Sequence, residues 1–534
     1  MKKLPLGIQN FDKLRKDNYL YIDKTEYALK LINEGTYYFL SRPRRFGKSL
    51  FLDTLKCLFE GTKQLFDGLY VYEKWDWNIK YPVIKISFGA GIAKDTKKLT
   101  EMINFNLRES ETANGVEAFD KSNYGTYFNS LIISCYDKYK TPVVILIDEY
   151  DKPILDNLTD ESKALEMRNN LRDLYSVIKD SDKYIKFAFL TGVSKFSKMN
   201  LFSGLNNLTD ITIDDRYAAI CGYTQNDVET VFKEYLQGVD MEELKRWYNG
   251  YSFGNPSNES GESAGTLGVE SVYNPYDILL FFDKGKQFKS WWFETGTPTF
   301  LIDMIREKHY HLPDLENIEV SEQVINTFDV GNIPIESLMF QTGYLTIKAI
   351  KPSRIPHIKR YCLGFPNFEV RYSFLSYFID HLAESYISRG INQDELYGAL
   401  EELKIEKLES VLKTLFSSIP YTAYVKNDIA NYEGFYLSVV YAYFYSLGID
   451  ITLEDVSSKG RADMVIKFPA NTVYILEFKV VEDDKSNTKK PLEQIKEKRY
   501  FEKYAGVVDK IFIIGVEFSK VQRNVVSFEW EQLN

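Results

Sequence analysis

A chain of 534 residues with 44% hydrophobic and 27% charged residues has the composition of a soluble globular protein and is too long for one core, so two or three domains are expected. Its formal net charge of −10 excludes a general polyanion binder, and any nucleic-acid contact must use a local patch. The four cysteines are scattered with no C-x-x-C pair and no clustered histidine, so neither a disulfide framework nor a zinc site is suggested. A reduced cytoplasm fits best. No apolar span approaches the roughly 18 residues of a membrane helix, and the basic start lacks a signal-peptide core.

In chain order, Tyr19–Thr25 precedes a helical run from Glu26 to Asn33 closed by Gly35. Tyr37–Leu40 reads as a strand, and the apolar spacing after Ser49 reads as a helix, so Gly47-Lys48-Ser49 falls where a strand hands over to a helix N-terminus. Unpaired backbone N–H groups and the helix dipole favour phosphate there. In the loop Arg45, Phe46, Gly47, Lys48, Ser49 and Leu50, Lys48 can reach terminal phosphates and the Ser49 hydroxyl can hold Mg²⁺. The first glycine of G-x-x-x-x-G-K-[ST] is replaced by Arg42.

Pro82–Ser87 reads as a second strand, with helices following at about 97–109 and 124–139. Pro142–Asp151 opens as a strand buried on both faces and ends in adjacent acids, a Walker B pattern: Asp148 would hold the Mg²⁺ that Ser49 touches, and Glu149 would polarise the attacking water. A core strand that happens to end in acids is the alternative for this stretch alone. A helix over 161–179, a buried strand over 184–191 and a short strand at 211–213 complete a largely parallel, doubly covered sheet. A strand inserted between the two Walker strands is the additional-strand P-loop ATPase arrangement. Thr191 at the end of the strand after Walker B is a γ-phosphate sensor candidate, with Ser194 as its rival; ordinary strand-end capping explains both equally well. Arg44, Arg45 and Arg216 read as surface arginines, and no arginine finger is assigned.

From Ile220 the period is helical. Thr224-Gln-Asn-Asp227 opens a helix to about Leu236, Met241–Tyr248 forms another, and Asn274-Pro275 and Thr297-Pro298 mark further starts. This is a helical lid or winged-helix-like region, with Gly254–Gly268 expected as a mobile surface loop. Strand-like runs return within 328–370, notably Tyr344–Ile350, and 372–415 is mostly helical.

The last hundred residues carry a second constellation. Gly460–Ile466 and Thr472–Val480 read as paired strands across a turn at 469–471, and alternation puts Glu477 and Lys479 on one face that converges with Asp463. Asp463 and Glu477 would bind Mg²⁺, Lys479 would orient the nucleophile or neutralise charge, and Glu433 would complete the metal shell from a helix over 431–447. Gln494 stands on a helix over 492–500. A salt-bridged Glu-Lys pair is the ordinary explanation of E-x-K alone; the combination with G-R-x-D, Glu433 and Gln494 favours a nuclease.

The stretches Gly7–Phe11, Tyr21–Thr25, Phe39–Ser49, Leu146–Tyr150, Thr191–Ser194 and Trp247–Tyr251, with Glu433, Asp463, Glu477 and Lys479, resemble a bacterial family in which an AAA-ATPase-like domain is fused to a PD-(D/E)XK nuclease-superfamily domain. The resemblance makes Arg42 the family's own loop residue, and it sets Ala462-Asp463 in the place of the superfamily's Pro-Asp. It implies an α/β architecture with an AAA-ATPase-like P-loop domain at 1–220, a helical or winged-helix-like lid at 221–330, a connector at 331–420 and a nuclease-like domain at 421–534. The expected cofactors are ATP and Mg²⁺. The expected partner is nucleic acid, DNA before RNA, with self-association into homo-oligomers compatible and no membrane. An ATP-controlled, metal-dependent nuclease in mobile-element processing or defence is the leading expectation. The competing one is a nucleotide-switched signalling or scaffold protein whose nuclease-like domain binds without cutting.

Overall fold

The computed structural model describes residues 1–195, 207–256, 268–293, 301–302, 304–305, 310–326, 330–331, 333–355, 358–383, 386–419, 433–457, 460–469, 471–482 and 490–533. The chain forms two compact units, residues 1–295 with 317–368 and residues 296–316 with 369–534. The helix start expected at Thr297-Pro298 and most of the loop expected at 254–268 lie outside the described residues.

The first unit is built on a five-stranded sheet of β1 (Tyr37–Ser41), β2 (Val83–Ser87), β3 (Val143–Asp148), β4 (Ile185–Gly192) and β5 (Thr209–Asp210), in the order β2-β3-β4-β1-β5 with every pair parallel. β1 and β3 are buried along their whole length, as strands covered on both faces must be. β4 lies between β1 and β3, which is the inserted strand expected from sequence. Helices 48–59 and 124–139 both pack on β3. Asp95, Asn123 and Asp160 cap the helices 96–114, 124–139 and 161–180 by accepting first-turn N–H groups. The fifth strand pairs at 209–210 instead of 211–213. The Asp210 carboxylate accepts from Thr212 N at 2.9 Å, and this local turn bends the chain away just after Ile211 N bonds Phe39 O.

Two sequence motifs serve as scaffold. Asn10 caps the helix 11–16, while Asp53 of helix 48–59 accepts from Phe11 N at 2.8 Å. Asp23 accepts from Thr25 N and Oγ1 and from Tyr70 N, and Lys24 pairs with Asp227 at 2.8 Å. Leu20 and Ile22 are buried with Val228, Phe232, Leu244, Tyr248 and Ile278, so the N-terminal segment shares a core with helices 225–231, 241–248 and 275–283. The first of these helices stops at Val231, short of Leu236. Phe232 and Tyr235 both turn onto the Phe282 ring, at 5.3 and 5.4 Å, and this packing outweighs local helix propensity. Then come β6 (Ile318–Ser321), helices 322–326 and 335–342, β7 (Thr346–Pro352) and β8 (Lys359–Gly364), the strands forming an antiparallel sheet in the order β6-β8-β7.

The second unit carries a mixed sheet of β9 (Asp450–Ser457), β10 (Gly460–Phe468), β11 (Thr472–Val481), β12 (Lys510–Ser519) and β13 (Asn524–Leu533), in the order β13-β12-β11-β10-β9. β11 and β12 are parallel and the other pairs antiparallel. Helix 433–445 is apolar around its circumference and buried, and helix 491–498 lies on β11 and β12. Among the described residues no helix is long and apolar enough to cross a membrane.

Candidate nucleotide-binding and metal sites

β1 ends at Ser41 and the helix 48–59 begins at Lys48, so the loop 42–47 crosses the strand-to-helix junction. Gly47 takes φ +90°, a left-handed conformation, with open space where a Cβ would stand. Lys48 is buried, its Nζ donating to Arg42 O at 2.8 Å and Pro43 O at 2.9 Å, so its ammonium is held inside the curl of the loop. Burial lowers its pKa, and the Asp148 carboxylate opposes that shift. Arg42 turns the other way. Only 1% exposed, it donates to Ser41 O, to Thr212 O at 2.6 Å and to Tyr217 O at 3.2 Å.

At the end of β3, Asp148 accepts from Thr191 Oγ1 at 2.7 Å, joining the Walker B strand to the end of β4. Glu149 has φ +52°, an uncommon conformation for a side-chain-bearing residue. Its carboxyl pKa is raised by burial and next by Asp148. Asp151 accepts from Val193 N, Ser194 N and Ser194 Oγ, and the Tyr150 hydroxyl donates to Ser194 O at 2.9 Å. The Walker B turn and the turn after β4 are thus fastened together. Arg216 is bound to Asp214 and Glu34 on the surface. Beside Gly47 opens a small, largely apolar pocket, lined among others by Tyr21, Ile22, Phe46, Leu50, Cys221 and Tyr223.

In the second unit the antiparallel register Met464↔Leu476 sets Asp463 opposite Glu477. Asp463 accepts from Phe478 N at 2.9 Å, and Gln494 Nε2 donates to Glu477 Oε1. The Glu477 carboxyl is pushed up to about 8, first by burial and then by the facing Asp463. Gln494 also bonds the Tyr500 hydroxyl. Lys479 is half-buried two residues along β11 from Glu477. The side chain of Glu433 lies outside the described residues, although the backbone there begins helix 433–445.

Both sites suit a hard divalent cation. Each sets two carboxylates close enough for one to raise the other's pKa, and that repulsion is relieved by a cation. Among the described residues no group of three or more His, Cys, Asp or Glu side chains gathers. Mg²⁺ is commonly held by one or two carboxylates, with phosphate and water oxygens completing its shell.

Residues 5–202 match the family described as "Predicted AAA-ATPase", and residues 431–528 match the PD-(D/E)XK nuclease superfamily. An "Uncharacterized protein in vnfD 5'region" of Azotobacter chroococcum mcd 1 is 47% identical over 533 residues, covering 100% of this chain and 99% of its own. The chain belongs to the family that fuses an AAA-ATPase-like domain to a PD-(D/E)XK nuclease-superfamily domain. No solved structure matches it.

Within this AAA-ATPase/PD-(D/E)XK protein, the structure brings Lys48, Asp148, Glu149 and Thr191 together in the first unit, and Asp463 and Glu477 in the second. Ser49 and Leu50 lie half-buried in the first turn of helix 48–59, and the Arg45 guanidinium stands 5.0 Å from the Tyr276 ring. The Phe46 side chain is buried against Tyr251 and Phe253, so this residue contributes its backbone to the loop face. Sequence reasoning missed Asp151, whose partners are remote in the chain, and Gly515. A Cβ at Gly515 would overlap the backbone nitrogen of Leu492, so this glycine lets helix 491–498 approach β12 and bring Gln494 to Glu477. The register pairs Gly515 with Glu477, a juxtaposition that no local pattern in the sequence signals.

Proposed function

We propose that the protein binds and hydrolyses ATP in its first unit and uses that nucleotide state to control phosphodiester hydrolysis by its second. Support for the nucleotide half is the loop Arg45–Leu50 with Lys48 at its centre, facing Asp148 and Glu149 from β3. Lys48 binds the terminal phosphates, the helix N-terminus receives them, and Glu149, with its raised pKa, accepts a proton from the attacking water. Thr191 fixes the Asp148 carboxylate and senses the γ-phosphate.

The observation that carries the nuclease half is the facing pair Asp463 and Glu477 with Gln494 on Glu477. Ser49 with Asp148 in one unit, and Asp463 with Glu477 in the other, would hold Mg²⁺, which would supply charge neutralisation and a more acidic water. Glu433 joins the second set. Lys479 orients the nucleophile or balances charge on the phosphate. DNA is favoured over RNA, the compartment is the cytoplasm, copies of the chain self-associate, and the role is mobile-element processing or defence. The second reading is a nucleotide-driven switch whose nuclease-like domain binds nucleic acid without cutting.

Labelled DNA and RNA incubated with the full-length protein, Mg²⁺ or Mn²⁺, and with or without ATP, separate the two. Metal-dependent cutting that responds to ATP and vanishes in Asp463→Ala supports the nuclease. A folded, nucleotide-loaded protein that cuts neither polymer leaves the switch.

A further inference from the structure

Every residue from Arg42 to Phe46 is gripped by chain beyond the matched ATPase segment. Arg42 is held by the carbonyls of Thr212 and Tyr217. The Arg44 carbonyl accepts from Trp292 Nε1 at 3.1 Å, and Arg45 lies over Tyr276. Phe46 meets Tyr251 and Phe253, and its carbonyl accepts from Gly222 N at 3.3 Å. Pro43 is met by Gly343, where φ is +93° and a Cβ would come within 2.6 Å of the Pro43 Cβ. A phosphate loop normally works through its bare backbone; this one also offers its side chains as handles.

Gly343 closes the helix Ile335–Thr342, and the same helix reaches the other side of the site. Gln341, buried, accepts from Lys195 N at 2.8 Å and donates to Ile325 O at 3.0 Å and Ser337 Oγ at 3.3 Å. Lys195 ends the turn Thr191–Lys195, which Asp151 and Tyr150 fasten to the Walker B turn. One eight-residue helix therefore touches both the loop that holds terminal phosphates and the turn placed to sense the γ-phosphate. Beyond it, Thr346 Oγ1 accepts from Ser252 N, β7 and β8 follow, and the chain leaves the first unit at Phe368, which is packed by Trp247 at 4.7 Å and Arg246 at 4.3 Å.

We infer that the helix Ile335–Thr342 reads the γ-phosphate, with Gln341 as the positioning residue that ties the Thr191–Lys195 turn to it and Gly343 as its contact on the phosphate loop. The inference rests on the nucleotide reading above. Differential contact is what an effector needs in order to bias a second element: a triphosphate that engages the turn fixes Lys195, Gln341 and the helix together, whereas a diphosphate engages the loop alone. The coupling is reciprocal, so weakening the Gln341 link must weaken the protein's preference for triphosphate over diphosphate.

The test is calorimetry of the full-length protein with Mg²⁺ and either ADP or a non-hydrolysable ATP analogue, comparing wild type, Gln341→Met and Gln341→Glu. The methionine loses all three bonds; the glutamate loses the two that the amide donates but keeps an acceptor for Lys195 N. The expected result is a triphosphate preference lowered about fivefold or more in Gln341→Met and largely retained in Gln341→Glu, with ADP affinity little changed in either. A purely structural Gln341 would weaken both nucleotides alike. Should Gln341→Met not fold, hydrogen exchange of wild type over 335–343 decides: slower exchange with the analogue than with ADP is expected. An unchanged preference in folded Gln341→Met, equal wild-type affinities for the two nucleotides, or identical exchange overturns the inference alone. Wild type that binds neither nucleotide overturns the nucleotide reading itself.

Discussion

The guanidinium carbon of Arg42 lies 3.9 Å from the centroid of the Phe253 ring, in the place where the usual phosphate loop has a glycine with no side chain at all. Burial lowers its pKa to about 10, which leaves the group charged at neutral pH, and three backbone carbonyls together with the ring face compensate that charge. The loop is shaped by an inserted side chain where others are shaped by freedom of backbone.

It follows that Arg42→Gly, although it restores the G-x-x-x-x-G-K pattern, damages the protein. Loss of buried charge-assisted hydrogen bonds and the ring contact is expected to destabilise the first unit by about 3 kcal/mol. Thermal denaturation should show a lowered Tm, and calorimetry an ATP affinity reduced at least about tenfold. A variant as stable and as tight as wild type would refute this role for Arg42.

Lys48→Ala should abolish ATP binding, because it removes the ammonium from the curl of the loop. Glu149→Gln should bind ATP near normally and lose turnover by roughly 100-fold or more, since the amide cannot take the proton. Equilibrium binding and phosphate release, measured on the same preparations, separate the two effects. Equal turnover in Glu149→Gln and wild type would transfer the base role elsewhere.

At the second site, Gly515→Ala places a methyl group against the Leu492 backbone and forces helix 491–498 outward. Gln494 then withdraws from Glu477. Metal-dependent cutting is expected to fall about 10- to 100-fold with ATP hydrolysis unchanged. Cutting by Gly515→Ala at the wild-type rate would show that this close approach is unimportant for activity.

The Glu477 carboxyl, at about 8 against an ordinary 4.5, gives a pH dependence of definite sign. The folded protein without metal holds this proton more tightly than the unfolded chain, so the associated stability is complete below about pH 4.5 and is lost as pH rises through about 8. Divalent metal competes with that proton, and its affinity should rise over the same interval. Glu477→Gln should be more stable than wild type at pH 8 without metal, on the order of 2 kcal/mol after solvent screening, and should lose the metal affinity. Denaturant unfolding at pH 5 and pH 8, with and without Mg²⁺, measures both. A metal affinity flat with pH would remove Glu477 from the ligand set.

Much of this arrangement is legible along the chain, because it depends on local pattern. The short apolar runs Tyr37–Leu40 and Val143–Ile147, the second rich in β-branched residues, read as buried strands, the helix after Ser49 announces its own N-terminus, and alternation along Thr472–Val480 sets Glu477 and Lys479 on one face. The candidates Lys48, Asp148, Glu149, Asp463 and Glu477 lie at or near the ends of such elements, where local pattern alone picks them out. The supports that those residues lean on become visible only in the folded chain. Arg42 finds its partners 170 and 175 residues away, Gln341 reaches Lys195 across 146, and Gly515 matters because a helix that precedes it in the chain packs against its missing side chain. Periodicity records which face of an element is buried, but it carries no information about which distant segment buries it. That choice is made by shape and by the need of each enclosed polar group for a partner, and it appears only when the chain has closed on itself.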